Sequence, residues 1–363
     1  MDACDADLGT AVDGAADGAV DGAANDAVDL IAFGQLFLEL VFGHVPRLPG
    51  PGEEIFTDEF AISCGGSVTI ATAARAAGAR AGISSLLGDD LGSRVAEQHC
   101  IARGIDLRAS RRVTGSTAGI TVVLNFSGER SFVSHVPSRP VGEPPELDRW
   151  HRVLDEHRPS WCYVHAGPGV ADLLRHAHDV GTRVALDLSF GSIEKDREAV
   201  VDCAGLADVF LPNEAELARL TGARDVDASL EIASAWCRTL VVTRGPAGAS
   251  LVRDGHAQLV AEGVHEVEVR DRTGAGDSFA GALVGALVAG STLLDAVAAG
   301  NAAGSDAVGR LGAVGEVEVE GLSRSPGALS GLVATVLGGA GPARASSRGA
   351  PLEGPYDVKE NLR

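Results

Sequence analysis

Asp271-Arg272-Thr273-Gly274-Ala275-Gly276-Asp277-Ser278-Phe279, followed by an Ala-, Leu- and Val-rich run without proline, is the stretch on which the reading of this chain turns. Small residues opening a helix let backbone N–H groups approach an anion closely, and the helix dipole favours negative charge at that end. Asp277, at the turn into the helix, is placed to accept a proton from a hydroxyl that attacks a phosphoryl group. A second reading stays open on these residues alone, with Gly274–Gly276 a tight turn and Asp277 an N-cap. The motif is neither a Walker A loop, which needs G-K-[S/T], nor a Rossmann G-x-G-x-x-G.

Working outward, apolar strand-like runs alternate with Ala- and Leu-rich helical segments, which predicts a mostly parallel sheet flanked by helices, an α/β fold. Strands are expected at Leu30–Leu36, Arg80–Leu87, Trp161–His165, Arg183–Asp187, Val209–Leu211 and Leu240–Thr243. Helices are expected at Val68–Ala77, Ser93–Arg103, Ala171–Val180, Glu214–Leu220, Leu230–Cys237, Asp277–Ala289 and Leu293–Val308. Two stretches break the rhythm and predict a small β-lid: 39–63, with Pro46, Pro49 and Pro51, and 118–136, a hairpin around Ser127-Gly128. A lid at the C-terminal strand ends of an open sheet would close over a ligand in the crevice there.

Several loops accompany the first motif in a set order. Cys64-Gly65-Gly66-Ser67 precedes a helix, Leu87-Gly88-Asp89-Asp90-Leu91-Gly92 follows a strand, and Pro212-Asn213-Glu214-Ala215-Glu216 ends another. Val242-Thr243-Arg244-Gly245-Pro246-Ala247-Gly248 ends a fourth. On these residues the chain resembles the ribokinase-like, or PfkB, family of carbohydrate kinases over residues 28–323. The resemblance implies ATP- and Mg²⁺-dependent phosphorylation of a hydroxyl on a sugar or nucleoside-like molecule, and a homodimer formed through the lid. It implies Asp277 as catalytic base, and the amides of Gly274, Ala275 and Gly276 as the anion hole for the transferring phosphoryl group. It implies that Asn213 and Glu216 organise Mg²⁺ and phosphates through water, that Thr243, Gly245 and Gly248 form the nucleotide loop, and that Asn301 lies beside the adenine. Read as residues, Asn213 is equally an ordinary helix cap and Asn301 a surface polar group. Asp271 matches a position beside a monovalent-cation site, which would make the enzyme responsive to K⁺; an aspartate that ends a strand and holds the turn reads equally well.

The substrate half departs from the family. Glu39 stands where an Asp usually holds substrate hydroxyls, beside the expected substrate residues Gly65 and Gly66. Ile70 replaces an Asn, and Asp187-Leu188-Ser189-Phe190 keeps only the Asp of an Asp-x-Asn-x-Arg segment. A non-catalytic ligand-binding relative is therefore the alternative, whereas a dinucleotide oxidoreductase lacks its fingerprint.

The formal charge is −20, and residues 1–29 hold eight Asp without Lys, Arg or Glu, which leaves −12 for the rest. No basic stripe offsets it, so nucleic acid is not an expected partner. Residues 1–27 read as a disordered acidic tail and 324–363 as a low-complexity C-terminal tail. The start has neither a basic n-region nor an apolar h-region, and Leu30–Phe42 is too short for a membrane span, so a cytoplasmic location without membrane contact is expected. The six cysteines lack C-x-x-C spacing and read as reduced thiols. His44, His135 and His165 lack ligand spacing and read as lid or core histidines.

Overall fold

The apolar run that opens at Leu30 does not continue as one strand. A computed structural model describes residues 27–126, 129–137, 146–188 and 190–318, and in it the run breaks at Gly34, whose φ is +156°. Leu36 already belongs to the lid, so the expected strand Leu30–Leu36 is two elements of two sheets. Arg80–Leu87 breaks likewise, at Ser85, whose hydroxyl bonds the Gly34 carbonyl.

In chain order the strands are β1 (Leu30–Phe33), β2 (Leu36–Gly43), β3 (Glu59–Gly66), β4 (Ala81–Ser84), β5 (Leu86–Leu87), β6 (Arg111–Arg112) and β7 (Gly119–Phe126). They continue as β8 (Glu129–His135), β9 (Trp161–His165), β10 (Arg183–Asp187), β11 (Val209–Phe210), β12 (Thr239–Thr243), β13 (Ala249–Arg253) and β14 (His256–Val260). The helices are α1 (Ser67–Ala76), α2 (Leu91–Ala102), α3 (Glu146–His157), α4 (Val170–Asp179) and α5 (Phe190–Lys195). After them come α6 (Arg197–Leu206), α7 (Glu214–Thr221), α8 (Val226–Ser234), α9 (Ala275–Val288) and α10 (Leu293–Val308).

The main sheet has eight strands in the order β14-β13-β12-β11-β10-β9-β1-β4. The six from β4 to β12 pair in parallel, whereas β13 and β14 add an antiparallel edge that the sequence reading did not anticipate. Their turn, Asp254-Gly255, has φ of +49° and +78°, the pair of positive values that a two-residue hairpin requires. Strands buried on both faces are continuously apolar, as in Leu30–Phe33 and Leu240–Val242. One core packs Ile31, Phe33, Val164, Leu186, Phe210 and Leu240 against Leu154, Leu173 and Leu174 of α3 and α4. Helices α3, α5 and α6 were also not anticipated. On the opposite face, α1, α9 and α10 pack together.

The contact of α1 with α9 is close because α9 carries glycines where it crosses its neighbour. A Cβ at Gly281 would lie 2.3 Å from the Ile70 carbonyl oxygen, and one at Gly285 2.8 Å from that of Ala74. Equal steps of four in the same direction make the two helices parallel, which brings their N-termini, Gly66-Ser67 and Ala275–Asp277, to the same end.

The second sheet is the lid, four strands in the order β3-β2-β7-β8. It spans 36–66 and 119–135 against the expected 39–63 and 118–136. The turn residues Ser127 and Gly128 lie outside the described residues, as do most of the two expected tails and Cys4. The other five cysteines are buried free thiols. Among the described residues no helix is long and apolar enough to cross a membrane.

Candidate active site

The chain leaves β1 toward β4 on one side and β9 on the other, so the sheet has a switch point whose crevice opens at the C-terminal strand ends. His165 ends β9, Asp187 ends β10, Asn213 follows β11 and Thr243 ends β12. Helix α9 delivers Asp277 to the same rim.

Gly274, at φ +72°, is the N-cap of α9, so Asp277 is the third helical residue and not its cap. The turn is tight because a Cβ at Gly274 would lie 2.4 Å from that of Ala313. The first helical bond runs from the Ser278 N–H to the Gly274 oxygen at 2.8 Å, and Ala275 N–H has only a long 3.4 Å contact with the Arg272 oxygen. The N–H groups of Gly276 and Asp277 thus carry the orphan donors of a helix start, and the space beside Gly276 is open.

Four carboxylates gather here with raised proton affinity. Asp277 is pushed up to about 7 by burial and then by the neighbouring charge of Asp187, with His165 working the other way. Glu216 is likewise raised to about 7 by burial, with Asp187 and Asp277 adding to it. Glu39 reaches about 7 through burial, opposed by the Ala313 N–H that its Oε2 accepts at 3.0 Å. Asp187 is raised by burial as well, although the Tyr163 hydroxyl donates to its Oδ2 at 2.6 Å. Tyr163 and His165 were not expected here. They alternate along β9, and the β9–β10 register sets His165 directly opposite Asp187. His165 is exposed at the rim, its ring edge-on to Tyr163, so it is neither a lid nor a core histidine.

Asn213 and Glu216 form a reciprocal capping box on α7: Glu216 N–H donates to Asn213 Oδ1 at 2.9 Å, and Asn213 N–H to Glu216 Oε2 at 3.0 Å. The ordinary-cap reading of Asn213 therefore holds, and the same bond fixes Glu216 toward Asp187 and Asp277. Thr243 bridges to Asn213 across the strand ends. Gly248, at φ +89°, closes the next turn against the Val260 carbonyl, where a Cβ would stand at 2.3 Å; Gly245 opens it at φ +56°. Asn301 is not a surface residue, being 5% exposed, and its amide donates to the carbonyls of Val260 and Glu262, both at 2.9 Å.

Asp271 is 2% exposed, and its carboxylate accepts from the N–H of Thr273 at 2.9 Å, the Thr273 hydroxyl at 2.6 Å and the Gly312 N–H at 2.8 Å. That is the turn-holding arrangement. Gly65 lies under Glu39, whose Oε1 would be 2.4 Å from a Cβ there, and Gly66 at φ +69° passes so close to the Gln35 carbonyl that only glycine fits. Ile70 is 1% exposed core. Asp90 caps α2 through Ser93 and grips the Thr117 N–H at 2.9 Å, so the Gly-Asp-Asp turn anchors the start of lid strand β7.

One loop joins the two halves. Ala313 N–H reaches Glu39, Val314 N–H reaches the Ser63 hydroxyl at 3.3 Å, and Val317 N–H the Ile62 oxygen at 2.9 Å, while Ala313 backs Gly274. Lid and the start of α9 thus rest on the same segment, which no motif marks.

The family model described as pfkB family carbohydrate kinase matches residues 41–319. The chain is 24% identical over 279 residues to the cytidine kinase of Thermococcus kodakarensis, covering 75% of this chain and 93% of that one. It shares its fold with a candidate ribokinase II from E. coli solved with ATP and Mg²⁺, at TM-score 0.67 and 20% identity over 79% of this chain and 94% of that one. A ribokinase from Arabidopsis thaliana complexed with ribose and ATP superposes at TM-score 0.63 and 20% identity, covering 79% of this chain and 95% of that one. With a family match spanning most of its length and a ribokinase-like fold around the assembled rim, the chain belongs to the pfkB family of carbohydrate kinases.

Proposed function

We propose that this protein is an ATP-dependent phosphotransferase acting on a hydroxyl of a sugar or nucleoside-like molecule, with Asp277 as general base. The observation that carries the reading is a carboxylate on the first turn of α9, of raised proton affinity, beside uncommitted helix-start amides. A base whose affinity lies near neutrality suits removal of a hydroxyl proton as the oxygen attacks phosphorus. The amides of Gly274, Ala275 and Gly276 would stabilise charge on the transferring group, that of Ala275 giving up its long contact with the Arg272 oxygen, a gain of several kcal/mol in a water-excluded site. Glu39, Gly65 and Gly66 would line the acceptor side under the lid, and Thr243, Gly245, Gly248 and Asn301 the nucleotide side.

The fit to Mg²⁺ follows from the donor set. Asp187, Glu216 and Asp277 resist ionising together, and among the described residues no group of His, Cys, Asp or Glu forms a ready-made metal cage. Such a set suits an ion held through water and phosphate oxygens. When bound, Mg²⁺ would neutralise phosphate charge, with Glu216 and Asn213 the residues to orient its water. Relatives named as nucleoside and sugar kinases support both acceptor classes.

A homodimer through the lid is part of the proposal. Cross-strand register puts Leu40, Ile62, Val122 and Val133 on one row and Phe42, Phe60 and Leu124 on the next, all on the face away from Glu39. Val133 is 67% and Phe60 49% exposed, an apolar sheet face that a second copy would cover. We also propose a cytoplasmic setting, acidic and low-complexity tails at 1–27 and 324–363 around a kinase domain at 28–323, and K⁺ responsiveness at Asp271.

The test is ADP release with Mg-ATP against sugars, sugar acids and nucleosides, with and without K⁺, comparing wild type with Asp277→Asn. Acceptor-dependent release that the substitution removes is expected. ATP binding without turnover on any acceptor would instead favour a ligand-binding relative.

A further inference from the structure

The inner face of the lid does more than cover Glu39. Four residues farther along β7 than Thr121, the cross-strand partner of Glu39, stands Asn125, roughly 13 Å away at strand rise. Beneath this distal end lies a cavity of about 320 Å³, roofed by Asn125 and Arg130 and floored by the 268–272 segment. Its lining includes neither Asp277, Glu39 and Gly65 nor the predicted nucleotide residues; it meets the active site only at Asp271 and Arg272.

The polar groups of this cavity are left incomplete by the protein. Asn125 is 8% exposed, and its side-chain amide nitrogen is buried without a hydrogen-bond partner among the described residues. Directly opposite in register is Arg130, whose guanidinium lies over the Phe132 ring at 5.4 Å. Arg130 and Arg272 line the same cavity; burial and the charge of Arg272 work against the Arg130 cation while Asp271 and Glu129 favour it, and neither arginine hydrogen-bonds an acceptor among the described residues. The acidic neighbours are largely committed elsewhere: Glu59 pairs with Arg270, and Asp271 holds Thr273 and Gly312. Glu129 and Glu268 remain on the rim.

We propose that this cavity is a second ligand site, which takes the oxyanion of a small phosphate-type ligand through Arg130 and Arg272. A tetrahedral oxyanion accepts from several donors at once, which two guanidinium forks supply. The volume accommodates a phosphate with a few further atoms. Arg272 immediately precedes the turn that forms the anion hole, and its carbonyl receives the Ala275 N–H. An anion held there therefore bears on the start of α9, which makes the site a means of modulation. Anion binding here does not depend on the kinase reading, whereas its modulatory role rests on that reading.

The test is titration calorimetry of inorganic phosphate, and separately of glycerol 3-phosphate, into protein saturated with Mg²⁺ and a non-hydrolysable ATP analogue. The nucleotide cleft is then filled, and saturable binding of either probe is expected, with tighter binding of the ester pointing to a phosphorylated metabolite. Arg130→Gln and Arg272→Gln should each weaken it at least tenfold, the value of one charge-assisted bond. Arg272 is exposed and its side chain hydrogen-bonds nothing among the described residues, so that variant keeps its fold and reports even if the Arg130 variant does not. Binding of neither probe, or binding indifferent to both substitutions, overturns the proposal.

Discussion

Replacing Asp277 by an asparagine should remove activity and stabilise the protein, and the two effects have one cause. A carboxyl raised from 3.8 to about 7 is less favourable as an anion in the folded state than in the unfolded chain. Three pK units correspond to about 4 kcal/mol. Asp277 is partly exposed and shares its burden with Asp187, so about 2 kcal/mol is the magnitude to expect. The sign follows from proton counting. Between pH 4 and 7 the folded state binds more protons at this site than the unfolded state, so stability falls as pH rises through that window. Above pH 7 the penalty is complete, and below pH 4 it vanishes. A neutral amide at this position carries no such penalty. At roughly 2 °C per kcal/mol for a chain of this size, Asp277→Asn should melt about 4 °C higher than wild type at pH 8, with the difference shrinking by pH 5. Thermal unfolding without nucleotide measures this, and ADP release measures the accompanying loss of about 10²–10⁴ in kcat. A variant no more stable than wild type at pH 8, or equally stabilised at both pH values, would refute the placement of Asp277 in a desolvated acidic cluster.

Gly281→Ala puts a methyl 2.3 Å from the Ile70 carbonyl, which is backbone and cannot swing aside; a loss of about 1–3 kcal/mol in denaturant unfolding is expected, with a lower kcat because α9 is displaced from α1. Glu39→Ala leaves the buried Ala313 N–H without its acceptor and should lower stability by about 1–3 kcal/mol near pH 5, less at pH 8 where the burial penalty of the Glu39 carboxylate is also removed, while raising the acceptor KM more than the ATP KM in steady-state assays. Asn213→Ala removes half of the capping box; about 1 kcal/mol of stability should be lost, together with an increase in the Mg²⁺ concentration needed for half-maximal ADP release.

The legible parts of this protein were those whose information is local. Gly274 and Gly66 are glycines because each backbone meets a neighbour and turns left-handed, and both stand in short quotable motifs. The alternation of strand and helix located most of the parallel core, since both faces of those strands are covered and their runs are apolar throughout. A local signal also marks the β13–β14 edge: Asp254-Gly255 has the composition of a two-residue hairpin turn. The break at Gly34 was hidden because the apolar run continues unchanged while the chain moves from one sheet to another. What no local pattern carried was the long-range part of the site. Tyr163 and His165 meet Asp187 only through the β9–β10 register, and Glu39 meets Ala313 across 274 residues. Such contacts are products of topology, and a single chain shows them only once folded.

The loop that holds the lid also labels it. The Ala313 and Val314 amides are bonded to Glu39 and Ser63, side chains of the lid sheet. Those two protons are therefore natural reporters of lid position. Their exchange with deuterated solvent should slow when the crevice is occupied and quicken when it empties, at a rhythm set by the lid rather than by global unfolding. A hydrogen-exchange time course on the peptide spanning 310–317 would record the motion in the unmodified protein, without a probe attached to the lid itself.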